Sequence, residues 1–257
     1  MKKLVYILMA LFLAGCFQVK TTVQVKKDGS GVLTQRVMMS SEFLQGIQQM
    51  AQSFGSEEEG SNSFFDEEEL KAEASQYGDK VRFVSARKLE EEGLSGYEAV
   101  YEFDNIEDLS VSNSPDEEIM GQAPEDLITF EFSKGNPALL QVVLPEQEIS
   151  EPKNDEQQPA SEIDENTRQM LEQMYKNMKV EMYISFDGKI VKTNSNYQDG
   201  DKVYLLQMDF EKLLEDPQTM EYLASSQAQN PAAMKNMMQN IPGVKVETKP
   251  EIFIEFK

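Results

Sequence analysis

Apolar side chains recur at every second position over much of this chain, and that spacing constrains the fold more than any other feature. Val19, Thr21, Val23 and Val25 alternate with Lys20, Thr22, Gln24 and Lys26, and after "KDGSG" a second run places Leu33, Val37 and Met39 on one side. Successive side chains of a strand point to opposite faces, so each run predicts a strand with one buried and one solvated face. Together they predict a β-hairpin whose turn uses Asp28, Gly29 and Gly31. The same parity returns at Tyr97, Ala99, Tyr101 and Phe103, with Glu98 and Glu102 outward, and at Ile128, Phe130 and Phe132. Farther on come Val180, Met182, Ile184 and Phe186, then Tyr204, Leu206, Met208 and Phe210. The chain closes on Val244, Val246, Ile252, Ile254 and Phe256. One-sided alternation of this kind predicts antiparallel sheets.

Helical spacing falls between these runs. "SSEFLQGIQQMAQS" has Ser41 as an N-cap and Phe43, Leu44, Ile47 and Met50 on a stripe, and "DENTRQMLEQMYKNM" places Met170, Leu171, Met174 and Met178 at helical intervals. "NPAAMKNMMQNIPG" starts with Asn230 as N-cap and Pro231 at the first helical position, and Pro242-Gly243 stops it. The expected class is therefore α+β: a mainly antiparallel sheet of hairpins with several short helices.

Two acidic stretches, near 55–69 and 145–166, are rich in Glu, Ser, Pro, Gln and Asn and poor in apolar residues, so they read as exposed loops. Residues 16–257 are expected to form a single composite extracytoplasmic domain around these loops. The alternative is two domains, 17–144 and 167–257, separated by the second stretch.

The first fifteen residues, "MKKLVYILMALFLAG", carry Lys2 and Lys3, an uncharged apolar run from Leu4 to Leu13, and small residues before Cys16. These are the three regions of a secretory signal peptide. The apolar run is about half the ~20 residues a membrane-spanning helix needs. "LAGC", residues 13–16, resembles the bacterial lipobox, which implies that the peptide is cut before Cys16 and that diacylglycerol is attached to its sulfur. Two or more acyl chains anchor stably where one is marginal. In families with this signal an aspartate after the cysteine often retains the protein in the inner membrane. Phe17 stands there, so the expected place is the extracytoplasmic side of the envelope, and the outer membrane where two membranes are present.

The inventory of reactive groups is short. The chain has no histidine and only one cysteine. Ser-His-Asp and Cys-His nucleophile systems are excluded, as are histidine-ligated zinc and haem, and a lipidated Cys16 leaves no thiol for a disulfide. "DGSG" at 28–31 leads into a strand pattern, so it reads as a turn and not a phosphate loop. The acidic runs "DEEEL" and "DNIED" lack the alternating ligands and central glycine of an EF-hand, and no metal or cofactor is expected. A formal charge of -22 repels phosphate backbones, so nucleic acid is not an expected partner. It also repels anionic headgroups, which predicts a body held off the bilayer by its tether. Fifteen methionines include Met234, Met237 and Met238 at helical spacing. Thioethers fill cores and also line adaptable binding surfaces, so these three mark a candidate groove.

The opening hairpin "TTVQVKKDGSGVLTQRVMMS" and the later run "MKVEMYISFDGKIVKTNSNYQDGDKVYLLQMDFEKLLED" resemble the LppM-like domain of bacterial lipoproteins. Members begin after the lipidated cysteine with a strand, an Asp-Gly turn and a returning strand. Later they carry a glycine turn leading to a Thr-Asn or Ser-Asn pair, here Gly188, Thr193 and Asn194. Tyr204 lies near where a tryptophan is common, and the acidic insertions and the tail from 216 to 257 depart from the pattern. The resemblance implies an envelope lipoprotein of α+β fold and brings no catalytic residues. The expected function is a non-catalytic binding module for a lipid, a cell-wall component or a protein partner. The alternatives are a carboxylate-based extracytoplasmic hydrolase, marked by two carboxylates in a cleft with one raised in pKa by burial, or an architectural subunit that pairs through an exposed strand edge.

Overall fold

The computed structural model describes residues 17–41, 65–91, 93–113, 126–145, 177–215, 241 and 243–257. In chain order its strands are β1 (Phe17–Val25), β2 (Gly31–Ser40), β3 (Arg82–Glu91), β4 (Leu94–Phe103), β5 (Val111–Ser112), β6 (Leu127–Ser133) and β7 (Ala138–Val143). Then follow β8 (Lys179–Phe186), β9 (Ile190–Thr193), β10 (Gln198–Asp199), β11 (Lys202–Asp209), β12 (Val244–Val246) and β13 (Glu251–Phe256). An eight-stranded sheet runs β10-β11-β8-β1-β2-β4-β3, with β12 also paired to β11, and a five-stranded sheet runs β5-β6-β7-β13-β9. Both sheets draw strands from either side of the 145–166 segment.

The expected α+β class is corrected by this architecture, which is mostly β. Among the described residues the α-helices are α1 (Glu67–Glu73) and α2 (Phe210–Glu215), and only α1 reaches seven residues. The three segments with helical spacing lie almost wholly outside the described residues, and what is described follows the period of two. Helix α1 sits at the end of a stretch that reads as loop from composition. Asp66 accepts hydrogen bonds from the Glu68 and Glu69 amides, three acids occupy the first turn, and Leu70 is buried. A cap and carboxylates at the positive end of the helix stabilise it where the acid run suggests only solvated chain.

The predicted hairpin is present. β1 and β2 pair from Phe17 opposite Met39 to Val25 opposite Gly31. Gly29 takes φ +89°, the left-handed conformation the turn requires, and Asp28 Oδ1 accepts from Ser30 N at 3.0 Å and Ser30 Oγ at 2.7 Å. Those bonds favour the ionised carboxyl and lower the Asp28 pKa. Pairing is antiparallel except between β1 and β8, which run parallel with Val19 opposite Val180 and Val23 opposite Ile184.

Every odd residue of β1 from Val19 to Val25 is buried, as are Leu33, Val37, Tyr97, Tyr101, Phe103, Met182, Ile184 and Phe186. They share one core with Ile128, Leu140, Val142, Ile252, Ile254 and Phe256 of the five-stranded sheet. Phe186 and Phe256 join the layers with ring centroids 4.4 Å apart. The alternation in β11 differs from expectation: Val203 and Leu205 are the buried residues, and a register shift between Tyr204 and Leu206 breaks the pairing with β8. A bulge adds one residue and exchanges the faces, which turns Tyr204 outward. The final apolar run is divided as well, because β12 belongs to the larger sheet and β13 to the smaller.

Candidate functional site

The outer face of the eight-stranded sheet is built from the even residues of β1. Lys20 lies opposite Arg36 of β2 on one side and Glu181 of β8 on the other. Arg36 faces Glu98, which faces Arg87. In the other direction Glu181 faces Gln207, which faces Lys245 of β12. This is one continuous row across the sheet, with four cations against two carboxylates in a chain of formal charge -22. Its ion pairs are solvated: Lys20 with Glu181 at 3.6 Å, Arg87 with Glu98 at 2.7 Å, and Arg36 with Glu91 of β3, outside the row, at 2.5 Å. Gln207 Nε2 donates to Glu181 Oε1 at 3.0 Å. Exposed pairs of this kind contribute little to stability, about 0–1 kcal/mol each, so the row is better understood as surface chemistry than as a brace.

The adjoining row carries Thr34, Thr22, Tyr183 and Tyr204. The tyrosine rings lie 5.4 Å apart between centroids. Lys20 and Lys202 stand over Tyr183 at 5.3 and 4.9 Å, and Lys245 stands over Tyr204 at 3.6 Å. Each ring's negative face attracts an ammonium, which holds three flexible lysines on one patch. Burial raises the Tyr204 pKa, so the phenol keeps its proton and can donate. Tyr183 is itself buried beneath its lysines, 7% exposed, so the patch presents the ammonium groups and the Tyr204 phenol, a set that recognises anions.

Two further polar groups lie inside the fold. Where β9 leaves the smaller sheet, "TNSN" at 193–196 wraps Glu247, whose residue is only 2% exposed. Its Oε2 accepts from Asn196 N at 2.8 Å and Ser195 Oγ at 3.0 Å, and its Oε1 from Asn196 Nδ2 at 3.0 Å, Thr248 N at 3.0 Å and Lys249 N at 3.3 Å. Asn194 Oδ1 accepts from Phe253 N at 2.7 Å, and Lys249 Nζ donates to Asn194 O. Five donors on one carboxylate satisfy it fully, so this is a structural knot between the sheets. Thr193 and Asn194, the pair singled out from sequence, belong to it.

The second group surrounds α1. Tyr101 donates to Leu70 O at 3.0 Å and lies 3.5 Å from Glu73 Oε2, and Tyr77 donates to Gln35. Burial raises the Glu73 pKa above the ordinary 4.5, opposed by the Tyr101 hydrogen bond, and Glu69 one turn earlier adds to the rise. Among the described residues no group of three or more His, Cys, Asp or Glu is placed to hold a metal ion.

Cys16, Met234, Met237 and Met238 lie outside the described residues. The residues that sequence reasoning missed are Lys20, Tyr183, Tyr204, Lys202, Lys245 and Glu247. A faint signal existed for Lys20, which has the outward parity of β1. Nothing local told which strands would lie beside it.

No protein-family model and no curated protein matches the chain. Among solved structures it is similar to the folded domain of LppM from Mycobacterium tuberculosis, determined by NMR, with a TM-score of 0.33 and 10% identity over 94% of this chain and 90% of that one. A likeness at that score carries no argument about the function of this chain.

Proposed function

We propose that the chain is a lipoprotein of the cell envelope, tethered to a membrane through acyl groups on Cys16, and that it acts without catalysis as a binding module for a lipid, a cell-wall component or a protein partner. The observation that carries this reading is the position of β1. It starts at Phe17, the residue after Cys16, and lies between β2 and β8 in the larger sheet. A lipid on Cys16 would thus be joined to the sheet without a linker. The outer face of that sheet, with its cations and tyrosines, is the surface such a module would offer. In a cell with two membranes the tether is expected in the outer one.

Metabolic labelling with a fatty acid tests the tether. The wild-type chain should take up label and Cys16→Ser should take up none while remaining uncleaved. Normal acylation of Cys16→Ser would reject the reading.

A further inference from the structure

We propose that the cationic row and the tyrosines beside it form a docking face for the anionic surface of a lipid bilayer. The inference rests on the tethered-lipoprotein reading and names the surface that the sheet face meets. It departs from the expectation, drawn from net charge alone, of a body held off the membrane.

The first argument is charge. A formal charge of -22 repels an anionic surface on average, but the average hides a polarised molecule. The outer face of the larger sheet, β10 aside, carries seven cations, four of them in its central row, against five carboxylates, Glu91, Glu98, Glu102, Glu181 and Asp209. The outer face of the smaller sheet carries Glu131, Glu251 and Glu255 against Lys192. A body with one cationic and one acidic face is turned by an anionic plane so that the cationic face looks toward it.

The second argument is position. Lys20 lies four residues after Cys16. At about 3.3 Å per residue the centre of the face is within roughly 13 Å of the proposed tether. The third argument is chemical. Tyr204, partly exposed where Tyr183 is buried, has an apolar ring and a donor at its tip, which suits the boundary between headgroup and acyl chain. The rings of Tyr183 and Tyr204 are covered by ammonium groups, so neither offers the open platform on which a sugar would stack.

The experiment uses the chain from residue 17, which contains every described element, and flotation with vesicles of phosphatidylcholine alone or with phosphatidylglycerol added. Binding should need phosphatidylglycerol and weaken as salt is added. The triple variant K20Q/K202Q/K245Q should bind on the order of a hundred-fold more weakly, at about five-fold per lysine. Lys192→Gln, on the other sheet, should bind as wild type. Equal binding to both vesicles, no binding to either, or an unchanged triple variant would overturn the docking face. So would capture by immobilised polyglutamate without vesicle binding, which assigns the face to an acidic protein. This chain lacks Cys16, so a failure here leaves the tether to be judged by acyl labelling alone.

Discussion

Replacing Glu247 with glutamine should unfold this protein far more easily than its near-identical shape suggests. The buried carboxylate has five donors around it, three of them backbone amides that cannot turn away: Asn196 N on Oε2, and Thr248 N and Lys249 N on Oε1. In Glu247→Gln one oxygen becomes an NH2, and in either orientation it meets at least one of those amides donor to donor. An orphaned buried donor costs about 1–3 kcal/mol, and the bonds that survive lose their charge assistance. A total near 3 kcal/mol follows. For a chain of this size each kcal/mol lowers Tm by about 2–4 °C, so thermal unfolding followed by circular dichroism should fall by about 6–12 °C. Glu251→Gln is the control, an exposed carboxylate four residues away, and should change stability by less than about 0.5 kcal/mol. A Glu247→Gln melting point within roughly 2 °C of wild type would show that the knot does not hold the sheets together.

Two further substitutions probe the interior. Thr21 is 1% exposed and its hydroxyl has no hydrogen-bond partner among the described residues, so Thr21→Val should stabilise the fold by about 1 kcal/mol in urea unfolding, and a loss would reveal a partner for the hydroxyl. Glu73 has a folded pKa above 4.5, so the folded state holds that proton more tightly than the unfolded state does. Stability from this group is present at low pH and declines as pH rises through 4.5 and beyond. The Tm of Glu73→Gln relative to wild type should therefore increase from acid to neutral pH, and a difference that stays constant or shrinks would contradict the burial argument.

The legible part of the fold is the part written in local alternation. The hairpin with its Asp28-Gly29 turn, the buried odd residues of β1 and the inward Tyr97 to Phe103 set follow from strand geometry and turn chemistry, both of which act over a few residues. The edge strand β3 was not legible. Its outward charges and few buried positions blur the period of two, as edge strands do when charge protects them. Nor was the exchange of faces in β11, because a bulge is decided by the partner strand.

The sequence by itself determined an acidic chain of one-sided strands with a signal-like start, a single cysteine behind it, and no histidine chemistry. Tertiary structure alone decided that β1 lies parallel to β8, more than 150 residues away in the chain. That pairing sets Lys20 beside Glu181 and Tyr183, and β11 and β12 then add Tyr204, Lys202 and Lys245. It likewise closed Glu247 inside the 193–196 turn. The physical reason is the same in each case. Strand alternation tells each residue which face it takes, whereas the neighbours on that face come from pairings between distant segments, fixed only when the whole core is buried at once.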